Sequence, residues 1–370
     1  MNQPKNNHRN DRVKRDYLIW LKEAKQRSDA TVEQARHAID RLEAYTKFKD
    51  FATFNKEQAI GFKHALLESK SQRTGKPISI STVHHTLQAI KEFLAWLHGR
   101  QEYRCRIKPA DVAYLNLTTG EERQAHTSGP KQYATLEEYR TALFAMPTET
   151  EIERRDQAIM ALMLLTCMRD AAVISLKLKH INIARRHVFQ DAREVNTKFK
   201  KTIETTFYPV GEDVDAIITD WVDYLVNKKD FLADDPLFPQ TVNGHDEHRN
   251  FVPEGLGREH WANATAVRKI FRTAFERVGL PYVKPHTIRD TLTQLAYKLQ
   301  LTGEELKAWS QNMGHDSLLT TMNSYGHISS ERQAEIIGGL GKKPPATVSD
   351  DSMAESIARK VAAMLESSRR

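Results

Sequence analysis

The sequence of 370 residues contains only two cysteines, Cys105 and Cys167. They are too few and too far apart in the sequence for a disulfide framework or a recognisable zinc-ligand set. No apolar run approaches the roughly 18 residues needed to span a bilayer, and the basic N-terminus is not followed by the apolar segment of a signal peptide. These absences predict an intracellular protein in a reducing cytoplasm, whose fold depends on its hydrophobic core.

Several motifs of metal and nucleotide chemistry are also missing. The sequence has no HExxH, no CxxC and no acidic cluster of the kind used by two-metal nucleases. His84 and His85 are adjacent, and neighbouring helical positions point in different directions, so they do not form a joint ligand pair. A glycine-rich phosphate loop with a following Lys and Ser or Thr is absent, which argues against an NTPase. We therefore expect neither a metal ion nor another cofactor.

Basic residues are in excess and are spread along the chain. The 55 Lys and Arg residues against 48 Asp and Glu give a formal net charge of +7. This balance favours a polyanionic partner, with nucleic acid ahead of an anionic membrane. The chain is also long enough for two domains, because a single hydrophobic core usually stops growing at a shorter length.

The first half of the sequence predicts a small helical domain. Residues 1–12 form a flexible basic N-terminus, and apolar periodicity from 13 to 100 predicts four amphipathic helices. Asn55 and Ser81 are the expected N-caps of the third and fourth helices. Residues 101–132 lose helical periodicity and gather Gly, Pro, Thr and basic residues, so we expect a linker there.

The second half predicts a larger domain at residues 133–340. Helical patterns are interrupted near 181–210 by short β-branched segments, which predict a small antiparallel sheet. Residues 341–370 resemble a Pro- and Gly-rich tether followed by an amphipathic helix. The predicted fold class is therefore mainly α with a small antiparallel β-sheet.

Two arginines and a histidine are candidates for binding an anion. His286 and Arg289 are three residues apart at a predicted helix start, where both side chains and backbone N–H groups face one patch. An isolated pair of this kind more often lies on a solvated helix face. Arg169 stands in a turn between two apolar helices and could project a guanidinium that grips two phosphate oxygens. The alternative for Arg169 is an ion pair with Asp170.

Three further groups complete a set suited to phosphoryl transfer. "NTKFKKT" carries Lys198 and Lys201 near a hairpin tip, where a lysine can serve as a proton donor. "MGHDSLLTTMNSYGHI" supplies His315 at a turn and Tyr325 one short helix later, although a tyrosine there can also be core filler. Phosphoryl transfer to a tyrosine needs a nucleophile, positive donors around the non-bridging oxygens and an acid for the leaving alkoxide. Two guanidinium groups can take the place of a metal ion.

In this order the motifs resemble those of the tyrosine recombinases, also called the phage integrase family. The resemblance runs from about residue 13 to 340. It rests on "LLTCMRDAAVISL", "NTKFKKTIETTFYPV", "HTIR", "MGH" and "TTMNSYGHI". It implies a helical core DNA-binding domain followed by a catalytic integrase domain.

The resemblance also implies a role for each candidate. Tyr325 would attack a DNA phosphodiester, leaving a 3′-phosphotyrosine and a free 5′-hydroxyl, and rejoining would need no ATP. Arg169 and Arg289 would clamp the scissile phosphate. His286 would assist proton transfer at the tyrosine, and His315 would donate a hydrogen bond to the phosphate.

Two positions depart from the family pattern. The resemblance implies that Lys198 protonates the departing 5′-oxygen, but the hairpin is longer than the common form, so Lys201 is the alternative. Family members often have an acidic residue three places after the first arginine. Ala172 occupies that place here, with Asp170 beside the arginine instead, and what orients Arg169 stays open.

The function that the resemblance implies is site-specific recombination of a phage or mobile element. Its partners would be double-stranded DNA attachment sites, a homo-tetramer formed on DNA and accessory DNA-bending proteins, without a membrane, in the bacterial nucleoid. The helix within 341–370 would dock on another protomer, with docking on its own domain as the alternative. Two other functions stay open: a catalytically inactive sequence-specific DNA-binding protein, and a type IB topoisomerase-like enzyme.

Overall fold

The computed structural model describes residues 7–71, 74–126, 132–246, 249–325, 328 and 330–340. The chain divides into two units, Met1–Lys131 and Gln132–Arg370. The boundaries of the functional domains stay predictions, and the predicted tether and helix at 341–370 lie outside the described residues. No helix in the described ranges is long and apolar enough to cross a membrane.

Six helices lie in the described part of the N-terminal unit. They are α1 (His8–Ile19), α2 (Asp29–Tyr45), α3 (Lys56–Glu68), α4 (Ile80–His98), α5 (Pro109–Val112) and α6 (Thr119–His126). The apolar stripe expected on α4 is buried, and each of its members is at most 1 % exposed: Val83, Leu87, Ile90, Leu94 and Leu97. The stripe therefore forms the centre of this unit's core, as its helical spacing predicts.

Local capping explains where these helices begin. The Asn55 side chain accepts a hydrogen bond from the Gln58 N–H at 2.9 Å, which confirms the predicted N-cap of α3. The predicted cap Ser81 is wrong, because Ser79 has the extended backbone of an N-cap and its hydroxyl accepts from the Thr82 N–H at 3.2 Å. α1 likewise begins before residue 13, since the Asn7 side chain caps it.

The predicted loss of helical structure between 101 and 132 is also wrong. α5 begins with Pro109, which suits the first position of a helix, and α6 follows it. Tyr103, Ile107 and Leu115 are at most 1 % exposed and belong to the core of the N-terminal unit. Pro109 and Thr119 therefore start short helices in this segment, and the three buried side chains lie outside both of them.

The second unit is also mostly helical. Its helices are α7 (Leu136–Phe144), α8 (Glu151–Thr166), α9 (Asp170–Val173), α10 (Glu212–Asn227), α11 (Thr265–Arg277), α12 (Ile288–Lys298), α13 (Gly303–Asn312), α14 (Leu318–Ser324) and α15 (Ser330–Leu340). α7 begins with a capping box between Thr135 and Glu138. The middle and end of α8 are buried from Ala158 to Thr166, so this helix runs through the core.

The expected small antiparallel sheet is present near residues 181–210. It has the order β1 (Ile181–Asn182), β2 (His187–Gln190), β3 (Ile203–Thr206), with Val188 opposite Thr205. A second antiparallel hairpin, β4 (Thr241–His245) with β5 (Phe251–Leu256), was not predicted. Pro253 within β5 and the polar residues around it obscured the strand pattern. The fold class is mainly α with small antiparallel sheets.

Candidate active site

Arg169 leaves the core where α8 ends. Cys167 terminates α8 in a left-handed conformation, with φ of 46°, and Arg169 then stands in extended backbone ahead of α9. The half-buried guanidinium lines a small cavity with Lys198 and Arg289. Asp170 bonds Arg268 at 3.1 Å, and among the described residues Arg169 has no carboxylate within ion-pair distance. Burial, and then the charge of Arg289, lowers the pKa of Arg169.

The second arginine comes from the start of α12. A 3₁₀ turn at Pro285–Thr287 runs directly into this helix, so His286 and Arg289 face the same region. Arg289 is 3 % exposed, and its Nη1 donates a hydrogen bond to His315 Nε2 at 3.0 Å. The Arg289 Nε is buried and has no hydrogen-bond partner. The buried Arg289 guanidinium therefore has at least one N–H donor without a hydrogen-bond acceptor.

His315 belongs to a buried chain of hydrogen bonds. Its Nδ1 lies 2.8 Å from Thr321 Oγ1, which lies 2.7 Å from Ser310 Oγ. Burial, followed by the charges of Arg289 and Arg169, lowers the pKa of His315 to about 4. The imidazole is therefore neutral at pH 7. The sequence does not single out Thr321 or Ser310, since a serine or a threonine within a helical pattern has no distinguishing feature.

Tyr325 stands at the C-terminal end of α14, inside this group of side chains. Its hydroxyl lies 3.1 Å from His286 Nε2. Its ring stacks on His315 with 5.4 Å between centroids and 10° between planes, and the Arg289 guanidinium carbon lies 5.9 Å from its centroid. Tyr325 is 8 % exposed. The phenol is thus buried among the candidate residues.

Another buried tyrosine shows what a packing role looks like. Tyr208 is 2 % exposed, and its hydroxyl donates to the Trp309 carbonyl at 3.0 Å. Its ring lies against the Trp309 ring with 4.5 Å between centroids. Tyr208 is therefore held by a tryptophan ring and a backbone carbonyl, whereas Tyr325 contacts two histidines and an arginine.

The two candidate lysines lie on the loop between β2 and β3 and occupy different positions. Lys198 is exposed and lines the cavity that contains both arginines. Phe199 and Lys200 follow with φ of 61° and 52°, so the loop tip has an uncommon backbone conformation. Lys201 bonds the Asp316 carboxylate, next to the His315 turn. Lys198 thus lines the same cavity as the arginines, whereas Lys201 has an acidic partner.

Together these side chains form a site for an anion next to a hydroxyl group. Two guanidinium groups share one cavity, a neutral imidazole contacts one of them, and a second imidazole is within hydrogen-bond distance of the phenol. Guanidinium groups suit phosphate because their donors match two oxygens at once. Within the described ranges no group of three His, Cys, Asp or Glu side chains could hold a metal ion.

Comparisons with known proteins give a family and a shared fold. The model of the "Phage integrase family" matches residues 133–332. Tyrosine recombinase XerC of Haemophilus influenzae (strain PittEE) is 25 % identical over 328 residues, which cover 86 % of this chain and 94 % of that protein.

Two solved structures share the fold. One is XerH site-specific recombinase bound to a palindromic difH substrate in a post-cleavage complex. It has a TM-score of 0.59 at 12 % identity and covers 93 % of this chain and 92 % of that one. The other is a lambda integrase(75-356) dimer bound to a COC′ core site. It has a TM-score of 0.58 at 12 % identity and covers 85 % of this chain and 94 % of that one.

Proposed function

Because the chain belongs to the phage integrase family of tyrosine recombinases, we propose that Tyr325 cleaves DNA by forming a 3′-phosphotyrosine bond. Site-specific recombination of DNA is the activity of this family, and the chain is an enzyme of that kind. The observation that supports the role of Tyr325 is its hydroxyl, 3.1 Å from His286 Nε2 and beside two arginines that share one cavity.

In the first step the scissile phosphate enters between the arginines. Arg169 and Arg289 each direct N–H donors at a non-bridging oxygen, and the buried Nε of Arg289 gains a partner that it lacks at rest. Negative charge on these oxygens grows in the transition state, so fixed donors there lower the barrier. One such donor contributes about 2.7–4 kcal/mol, or roughly 100- to 1,000-fold in rate.

The chemical step exchanges one phosphate ester for another. Tyr325 Oη attacks phosphorus, and His286 Nε2 is placed to accept the phenolic proton. The bond from phosphorus to the 5′-oxygen breaks as the bond to the tyrosine forms. Lys198 supplies the proton that the departing 5′-oxygen takes up, with Lys201 as the alternative donor. Atoms and charge balance without a metal ion or a nucleotide.

Rejoining is the same reaction in reverse. A 5′-hydroxyl attacks the phosphotyrosine, and the energy of the original ester is retained in that bond, so no ATP is required. Exchange between two duplexes needs four cleavages, which calls for four protomers on the DNA. We propose that this reaction integrates or excises a phage or mobile element in a bacterial nucleoid, with accessory proteins bending the DNA.

The test is covalent capture of DNA. Nicked duplexes of randomised sequence are incubated with the protein, and DNA that stays attached after denaturation is recovered and sequenced. We expect an adduct on a restricted set of sequences, lost in Tyr325→Phe and kept in Tyr297→Phe, which alters a half-buried tyrosine on α12. An adduct that survives Tyr325→Phe would refute the assignment of the nucleophile.

The same experiment separates the two other functions. Sequence-selective binding without an adduct would identify a catalytically inactive DNA-binding protein. An adduct on arbitrary sequences, with relaxation of supercoiled DNA but no strand exchange, would identify a topoisomerase-like enzyme. The joint position of the arginines, His286 and Tyr325 favours an enzyme over an inactive binding protein. The family assignment favours a recombinase over a topoisomerase.

A further inference from the structure

We propose that Thr321 is a positioning residue of this recombinase, whose hydroxyl holds the His315 ring so that Nε2 faces the phosphate site. Thr321 has no candidate role of its own in phosphoryl transfer, because its hydroxyl is 2.8 Å from His315 Nδ1 and is turned toward Ser310. The inference rests on the proposed function of the site and adds to it a residue that acts through His315.

The direction of each hydrogen bond follows from the groups involved. A guanidinium can only donate, so the Arg289 Nη1 bond at 3.0 Å requires His315 Nε2 to accept. A neutral imidazole carries one proton, which must then be on Nδ1 and is donated to Thr321 Oγ1. The Thr321 hydroxyl then donates its own proton to Ser310 Oγ, at 2.7 Å. One tautomer of His315 is therefore specified by its two neighbours.

Burial makes the Thr321 hydroxyl hard to replace. Thr321 is 2 % exposed and Ser310 is 1 % exposed. Without the hydroxyl, the proton on His315 Nδ1 would be buried with no acceptor, which costs free energy. The ring would then rotate or take the other tautomer, and either change moves Nε2 away from its present relation to Arg289.

The same arrangement supports the form of His315 that a phosphate requires. Donation to a phosphate oxygen needs a proton on Nε2, and the negative charge of the bound phosphate favours taking one up from solvent. In that cation Nδ1 keeps its proton, so it still donates to Thr321 Oγ1. The hydroxyl therefore serves both states of the ring without moving.

Thr321 also links His315 to the nucleophile. The Thr321 carbonyl accepts the Tyr325 N–H at 3.0 Å, across one turn at the end of α14. The same helical turn therefore carries the hydroxyl that orients His315 and the phenol that attacks. A shift of this turn would displace the nucleophile and release the histidine together.

The first experiment compares three variants by single-turnover formation of the covalent DNA adduct. Thr321→Val keeps the shape and removes the hydroxyl, and we expect cleavage to slow by roughly 10- to 100-fold, as for other lost orienting partners. Thr321→Ser restores the hydroxyl and should restore most of the rate. Thr320→Val changes the exposed neighbouring threonine on α14 and should leave the rate unchanged. DNA affinity and thermal midpoint are measured for each variant.

A double-mutant cycle then tests whether Thr321 acts through His315. If it does, Thr321→Val added to His315→Gln will slow cleavage little beyond His315→Gln alone. Multiplied losses in the double variant would overturn the proposal. Equal losses in Thr321→Ser and Thr321→Val would also overturn it, because a general packing role does not depend on the hydroxyl.

A spectroscopic measurement needs no activity. ¹⁵N NMR of the histidine rings in the free protein should show His315 as the neutral Nδ1–H tautomer at pH 7. In Thr321→Val the Nε2–H tautomer or a mixture should appear, while Thr320→Val should match the unaltered protein. An unchanged tautomer in Thr321→Val refutes the positioning role even if DNA cleavage is observed. A changed tautomer supports that role even if Tyr325 proves not to be the nucleophile.

Discussion

Replacing Arg289 by methionine removes one guanidinium and keeps most of the buried volume filled. Arg289 is 3 % exposed, its Nη1 bonds His315 Nε2, and its Nε has no partner before substrate binds. The substitution therefore removes both the Nη1 and the Nε donors from the position where negative charge develops on the phosphate in the proposed reaction. From the value of one transition-state donor, about 2.7–4 kcal/mol, we expect cleavage to slow by roughly 100- to 1,000-fold or more.

The same substitution should change His315 in a defined direction. Burial first, and then the charge of Arg289, holds the pKa of His315 at about 4 in the folded protein. With the guanidinium gone, the protonated imidazole is less disfavoured, so the pKa of His315 should rise toward its ordinary value. Titration of the His315 ring by NMR measures this change directly and does not depend on cleavage.

The assay is single-turnover covalent capture on a nicked duplex at saturating protein. Arg332→Met provides the matched control, since Arg332 is an exposed arginine on α15 that bonds Glu335, and exposed pairs contribute little. Its cleavage rate should stay near that of the unaltered protein. A near-normal rate in Arg289→Met would refute the role of this arginine, as would an unchanged His315 titration.

Three further predictions follow from the site. Arg169→Ala should slow cleavage by roughly 100-fold or more, measured in the same assay, and a rate within a fewfold of normal would contradict the clamp. Lys198→Ala should slow cleavage of a normal phosphate but not of a 5′-bridging phosphorothiolate, because a thiolate leaves without an acid. If the phosphorothiolate restores cleavage in Lys201→Ala and not in Lys198→Ala, Lys201 is the proton donor. The folded-state pKa of His315, about 4, lies below the unfolded value near 6.5. The contribution of His315 to the free energy of unfolding is therefore full above pH 6.5 and is lost as the pH falls toward 4. Chemical denaturation should show that the free energy of unfolding falls less over this pH range in His315→Gln.

The sequence predicted the helices well where burial and capping act locally. The stripe on α4 from Val83 to Leu97 is buried as its spacing requires, and the predicted cap at Asn55 forms. Predictions from local sequence failed at the polar N-terminal segment, which is fixed by contacts with residues far away in the sequence. Asn10 is buried because its side chain bonds the backbone of Lys49 and Phe51, which no periodicity reveals.

The candidate site shows the same division. Its titratable members were predicted because their motifs occur together in the order of the tyrosine recombinases. In the structure Arg169, Arg289, His286, His315 and Tyr325 lie together. Their roles stay predictions.

The hydroxyl groups that we propose to orient His315 were not predicted. Thr321 and Ser310 become significant only through distances across the fold. The structure excludes Asp170 as an ion-pair partner of Arg169. Asp170 turns to Arg268, and nothing in the described residues takes the place of a carboxylate at Ala172.

The paired arginines limit what the reaction centre can distinguish. In the proposed reaction their cavity offers donors to non-bridging oxygens, and those oxygens are identical at every nucleotide of a duplex. Such a centre accepts a phosphodiester of any sequence equally well. The choice of target must therefore be made by contacts elsewhere on the protein surface, and a new target can be acquired by altering those contacts while the chemistry is left untouched.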